Sequence, residues 1–115
     1  YIRLIKKKPS IAVRAGRAFV MANVFERKVL RGAEIAVTYR CQGKCDKCSC
    51  RSLIDESKPE MTTEQILKVC RRISSVGAIL INITGGEPLL RKDIMAIIRQ
   101  ISKMPVLVSL TTNGF

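Results

Sequence analysis

Residues 62–88 read TTEQILKVCRRISSVGAILINITGGEP, and this stretch decides the fold class. Thr62 followed by Gln65 makes a capping box, in which each residue satisfies a backbone N–H that the other would leave bare at a helix start. Ile66, Val69, Ile73 and Val76 then recur at helical spacing until Gly77, so the spacing predicts an amphipathic helix that stops there. Residues 78–83, AILINI, are almost continuously apolar, the signature of a strand covered on both faces. Thr84, Gly85, Gly86, Glu87 and Pro88 end it. A helix that runs straight into a doubly buried strand belongs to a parallel sheet.

The same alternation extends in both directions. Toward the carboxyl end, Ile94, Ile97, Ile98, Ile101 and Met104 mark a second amphipathic helix. Pro105 bars its continuation into a strand over Val106–Leu110. Toward the amino end, Ile35, Val37 and Tyr39 alternate with Ala36 and Thr38 in a short β-branched run, read as a first strand that ends at Arg40. The order strand, helix, strand, helix, strand predicts an α/β fold with a parallel sheet and right-handed crossovers. Parallel strands point the same way. The loops after the three strands therefore meet at the carboxyl edge, where such sheets place their ligands.

Length and charge bound the rest. The 115 residues, 47% of them hydrophobic, suffice for one domain with a modest core. The chain starts at Tyr1 and stops at Phe115 directly after a Thr-Asn-Gly turn, so it is expected to be part of a longer protein. Net charge is +12, which makes an anionic partner plausible, and residues 1–33 carry +8 of it, with nine Lys or Arg against Glu26 alone. Pro9 and Ser10 open a predicted helix, with Val13, Val20, Val24 and Leu30 near one side, running to Arg31 and stopping at Gly32. Residues 1–33 are thus read as a basic amphipathic helical lead before a domain at 34–115. Docking beside the sheet is its plainest role, with contact to a membrane surface or an anionic substrate as alternatives.

No run approaches the length needed to span a bilayer, and Arg14 and Arg17 interrupt the apolar stretch a secretory signal would need. With an odd cysteine count crowded into one loop, a reducing, cytoplasmic setting is expected.

The chain has no His, so metal chemistry falls to cysteine. Cys41, Cys45 and Cys48 sit in CQGKCDKC, a spacing that wraps a compact cluster, with Gly43 letting the backbone turn tightly. Three thiolates on a four-iron cluster leave one iron open. Arg40, Lys44 and Lys47 would offset the cluster's negative charge. The competing reading is a zinc knuckle with Cys50 as fourth ligand, and free or redox-active thiols are a third. Cys70, on the apolar helix face, is read as a core residue.

Taken together, CxxxCxxC after the first strand, Gly-Gly-Glu-Pro after the second and Thr-Asn-Gly after the third resemble the radical S-adenosylmethionine (radical SAM) superfamily over residues 34–115. The resemblance implies that these are the first three strands of a partial (β/α) barrel, an incomplete relative of the TIM barrel, truncated here. It implies that Cys41, Cys45 and Cys48 ligate a [4Fe–4S] cluster, whose open iron is chelated by S-adenosylmethionine. Gly85, Gly86, Glu87 and Pro88 would meet the methionine amino group, largely through backbone carbonyls. An electron from an external donor of flavodoxin or ferredoxin type would then cleave S-adenosylmethionine to methionine and a 5′-deoxyadenosyl radical that takes hydrogen from a substrate the sequence does not name. No catalytic side chain is required for that cleavage.

Simpler readings stand beside these. Gly85 and Gly86 also suit a plain strand-to-helix turn, Glu87 a helix N-terminal charge, and Asn113 a left-handed turn before Gly114 as well as a ligand contact. One departure from the family pattern is Lys47, which stands where an aromatic residue is usual. Two rival functions are a non-enzymatic zinc or iron–sulfur module and a basic nucleic-acid-binding protein. The few aromatics argue against the latter. The stretch alone is expected to be inactive, because the later strands shape the substrate pocket.

Overall fold

The computed structural model describes residues 8–48, 50–53, 57 and 59–114. Tyr1 to Lys7, including the basic Arg3, Lys6 and Lys7, and Phe115 lie outside the described residues. Helix α1 spans Pro9–Asn23, strand β1 Gly32–Ala36, helix α2 Thr63–Ser75, strand β2 Leu80–Thr84, helix α3 Ile94–Ile101 and strand β3 Leu107–Leu110. Short 3₁₀ turns at Arg51–Leu53 and Pro88–Leu90 fall in the loops after β1 and β2. The three strands form one parallel sheet in the order β1-β2-β3.

The capping box forms as its residues dictate: the Gln65 N–H donates to Thr62 Oγ1 at 3.2 Å and the Thr62 N–H donates to Gln65 Oε1 at 2.8 Å. Of the predicted stripe of α2, Ile66 is buried and Ile73 packs against the core, whereas Val69 and Val76 are 39% and 53% exposed and Cys70 and Ser74 are buried instead. Cys70 is a core residue, and burial pushes its thiol up to about 11. Ile81 and Ile83 of β2 are fully buried with Ile35, Ile66, Ile97 and Ile101, which places the core between the sheet and the α2–α3 layer. On the other face of β2 no layer packs among the described residues. Leu80 is 39% exposed there, and Glu34, Asn82 and Ser109 stand side by side across the three strands.

β1 begins and ends earlier than predicted. It takes Gly32 and Ala33 from the segment read as lead, because the ladder with β2 runs from Gly32 opposite Leu80 to Ala36 opposite Thr84. Beyond Thr84 the partner strand turns away. The Val37 N–H still donates to the Thr84 carbonyl, and the backbone from Thr38 to Arg40 then leaves the ladder.

α1 also stops short, at Asn23 rather than Arg31. The Asn23 amide donates to the Phe19 carbonyl at 2.8 Å, Glu26 takes a positive φ of 50°, and the chain runs on without helix until the Arg31 carbonyl accepts from Ile79 and Leu80. The helix lies along the amino edge of the sheet. Lys8 Nζ donates to the carbonyls of Ser102, Met104 and Val106 at 2.8–3.0 Å, a cation closing the carboxyl end of α3. Arg14 donates to the Ser74 and Ala78 carbonyls. The inward residues of α1 are Ile11, Arg14, Ala18 and Met21, while Val13, Val20 and Val24 face solvent. The predicted apolar side is therefore the outer side, because side chains with long polar reach dock this helix.

Candidate metal and cofactor site

All three loops named from the sequence lie at the carboxyl edge, as parallel pairing requires. In the loop after β1, Cys41 and Cys45 are exposed and Cys48 is half-buried. The Gly43 N–H donates to Cys41 Sγ at 3.3 Å, so the loop is already folded around one sulfur. A Cβ at Gly43 would stand 3.4 Å from Cys41 Sγ, 3.8 Å from Cys45 Sγ and 3.7 Å from Asn113 Nδ2. Two thiols and an amide thus converge on the space a side chain would fill. Among the described residues no three Cys, Asp or Glu side chains are close enough to hold one metal ion, whereas in a four-iron cluster each cysteine binds a different iron and the three sulfurs need not share one ion. Cys50 donates to the Gly85 carbonyl at 3.1 Å, which ties that thiol to the β2 exit.

Gly85 and Gly86 are required by protein, before any ligand is considered. A Cβ at Gly85, whose φ is +149°, would lie 2.1 Å from the Thr38 carbonyl oxygen. At Gly86 it would lie 2.4 Å and 2.6 Å from those of Arg40 and Tyr39. Side chains here would collide with backbone, which cannot yield. In their absence the Gly86 N–H donates to Thr38 and the Glu87 N–H to Arg40, each at 2.8 Å, which fixes the start of the cysteine loop against the β2 exit.

Glu87 is fully buried, and both of its oxygens accept from neighbouring residues. Oε1 accepts from the Leu89 N–H at 2.9 Å and the Thr112 hydroxyl at 2.8 Å, and Oε2 from the Asn113 N–H at 2.8 Å. Burial works to raise its pKa, and these three bonds outweigh it and hold the carboxyl below its ordinary value. The residue does cap the short turn that follows, as a helix N-terminal charge would. Its larger effect is to bind the loop after β3 to the loop after β2. Asn113 itself has no positive φ; the left-handed turn belongs to Gly114, at φ +77°, and the Asn113 amide reaches Cys41 Sγ at 3.7 Å.

Beneath these loops lies a polar network that sequence reasoning missed. Arg91, 7% exposed, donates to the carbonyls of Val37 at 2.7 Å and Met61 at 2.9 Å and grips Asp93 with two nitrogens. The Thr63 hydroxyl also bonds Asp93. Arg91 holds the Asp93 carboxyl well below the usual range, with Thr63 adding to the effect. Glu60 accepts from Thr38 and Arg40, the Thr38 bond being the main cause that lowers its pKa. The network ties the β1 exit to the starts of α2 and α3. No local sequence signal pointed to it, since Arg91 and Val37 are far apart along the chain.

The donor set suits an iron–sulfur cluster: thiols around a glycine hollow, an amide donor aimed at one sulfur, and exposed Arg40, Lys44 and Lys47 on or beside the loop. Of the four carbonyls in Gly85–Pro88, those of Gly85, Glu87 and Pro88 accept from Cys50, Leu90 and Arg91. The Gly86 carbonyl has no partner among the described residues.

Comparison with known proteins agrees with this geometry. The family model of the Radical SAM superfamily matches residues 35–115. A probable GTP 3′,8-cyclase of Methanothermobacter marburgensis is 40% identical over 89 residues, covering 76% of this chain and 29% of that protein. The PqqA peptide cyclase of Bradyrhizobium diazoefficiens is 30% identical over 80 residues, 70% of this chain and 21% of that protein. Molybdenum cofactor biosynthesis protein 1 of Drosophila melanogaster is 37% identical over 84 residues, 70% of this chain and 15% of that protein. The chain spans less than a third of the length of these relatives. One family model thus accounts for most of the sequence, including every loop at the carboxyl edge, and the chain belongs to the radical SAM superfamily.

Proposed function

We propose that this chain forms the cofactor-binding start of an enzyme that cleaves S-adenosylmethionine reductively, with Cys41, Cys45 and Cys48 as ligands of a [4Fe–4S] cluster. The observation that carries the reading is the meeting of three loops at one point: Cys41 and Cys45 around Gly43, and Asn113 on Cys41 Sγ, held there through Glu87. When bound, the cluster and S-adenosylmethionine supply the electron transfer and the carbon-centred radical that takes hydrogen from a substrate.

The chain's own groups bind and orient. The Gly86 carbonyl, without a partner among the described residues, is the acceptor offered to the methionine ammonium. Glu87 acts at one remove, since its oxygens are taken by Leu89, Thr112 and Asn113. A neutral amide donor from Asn113 and the cations of Lys44 and Lys47 favour the reduced, more negative cluster, while the charge of Arg40 is paired with Glu60. The reductant is a small external carrier of flavodoxin or ferredoxin type. The relatives' names include both a nucleotide cyclase and a peptide cyclase. The shared segment is therefore assigned to S-adenosylmethionine cleavage, and substrate choice to other parts of the full-length protein.

Anaerobic reconstitution of the full-length protein tests this. Iron–sulfide absorption and release of 5′-deoxyadenosine on reduction are expected, and Cys45→Ala abolishes both. Stoichiometric zinc without iron–sulfide absorption, or cleavage retained in Cys45→Ala, overturns the proposal and favours the zinc module.

A further inference from the structure

The amino edge of the sheet, opposite the cysteine loop, carries a second concentration of charge. A cavity of about 400 Å³ opens between α1, residues 27–30 and the turn after α2. Its charged lining is wholly cationic: Arg14, Arg17, Arg27 and Lys28. Glu26, the one acidic residue between positions 8 and 33, does not line it. Among the described residues no ion pair reaches any of the four cations. Arg14 is engaged with protein, donating to the Ser74 and Ala78 carbonyls, which leaves Arg17, Arg27 and Lys28 as the cations free to meet an anion. The cavity has no aromatic lining residue, so it offers no platform for a nucleobase.

Beside this cavity runs the outer stripe of α1. Val13, Val20 and Val24 are 72%, 44% and 68% exposed, and Phe25, just past the helix, is 58% exposed. Helical spacing places Arg17 among these valines. An acid-free cationic hollow bordered by exposed aliphatic and aromatic side chains matches a surface that is anionic outside and apolar beneath. We infer that α1 and residues 27–30 form a docking surface for anionic phospholipid, in which Arg17, Arg27 and Lys28 take headgroup phosphate while Val24 and Phe25 enter the interface. No helix among the described residues is long and apolar enough to cross a membrane, so the contact is with the bilayer surface. Docking by the amino edge leaves the cysteine loop at the carboxyl edge uncovered.

Co-sedimentation of the full-length protein with lipid vesicles tests the inference. Binding is expected to phosphatidylglycerol-containing vesicles, to be released at high salt, and to be absent on pure phosphatidylcholine. R17E/K28E weakens partitioning roughly tenfold or more with an unchanged thermal midpoint. Should that variant lower the midpoint, Val24→Ser, at an exposed position, carries the test and is also expected to weaken binding. Absence of binding to anionic vesicles, equal binding to phosphatidylcholine, or binding indifferent to these substitutions overturns the inference. Heat of inorganic phosphate binding without vesicle binding overturns it as well, and assigns the cavity a soluble phosphate ligand.

Discussion

Glu87 shows how a single buried carboxylate decides the shape of the site. Its oxygens accept three hydrogen bonds inside a region closed to solvent, so a neutral amide in its place turns an NH₂ group toward at least one donor. Glu87→Gln is therefore expected to cost about 2 kcal/mol, read from urea unfolding of the full-length protein. The pH dependence follows from the sign of the shift. Glu87, Glu60 and Asp93 all have folded pKa values below their ordinary ones. Their contribution is complete above the unfolded carboxyl pKa of about 4 and is lost as pH falls through the folded values. Stability is expected to be flat near neutrality and to decline below about pH 4, less steeply in Glu87→Gln. Gly86→Ala meets the backbone oxygens of Arg40 and Tyr39 and is expected to cost about 3 kcal/mol, measured the same way.

At the scale of elements, α2 illustrates local information at its strongest. Its start is written in Thr62 and Gln65, and Thr62→Ala is expected to lose about 1 kcal/mol in thermal unfolding. α3 is different, because its N-terminal carboxylate makes no cap bond and is held by Arg91 and Thr63 instead. Removing Arg91 leaves Asp93 and the Val37 and Met61 carbonyls without their donor. Arg91→Ala is expected to cost about 3 kcal/mol and to loosen the start of the cysteine loop, visible as faster amide exchange at Arg40, Gly86 and Glu87. The loss for α1 is reversed in kind. Its valines, spaced as a docking face, point outward because Lys8 and Arg14 reach backbone carbonyls at the ends of α2 and α3.

Across the whole molecule, parallel pairing brings every loop with unusual residues to one edge and the basic helix to the other. The carboxyl edge behaves as one unit, since Glu87 from the second loop sets Asn113 of the third against Cys41 of the first. Asn113→Ala is expected to make the cluster's reduction potential more negative without abolishing cluster binding, as followed by an anaerobic redox titration. The sequence by itself determined the α/β alternation, the capping box, the core role of Cys70 and the loops that meet, because each follows from a spacing or a turn residue within a few positions. Strand ends and the outward turn of the α1 valines were settled by tertiary structure, since they depend on which backbone groups find partners across the fold. The same holds for the site's framework. Why Gly85 and Gly86 must be glycine, and why Glu87 and Arg91 are buried, depends on contacts with Thr38–Arg40, Val37 and Asn113, which no local pattern encodes and only the folded chain brings together.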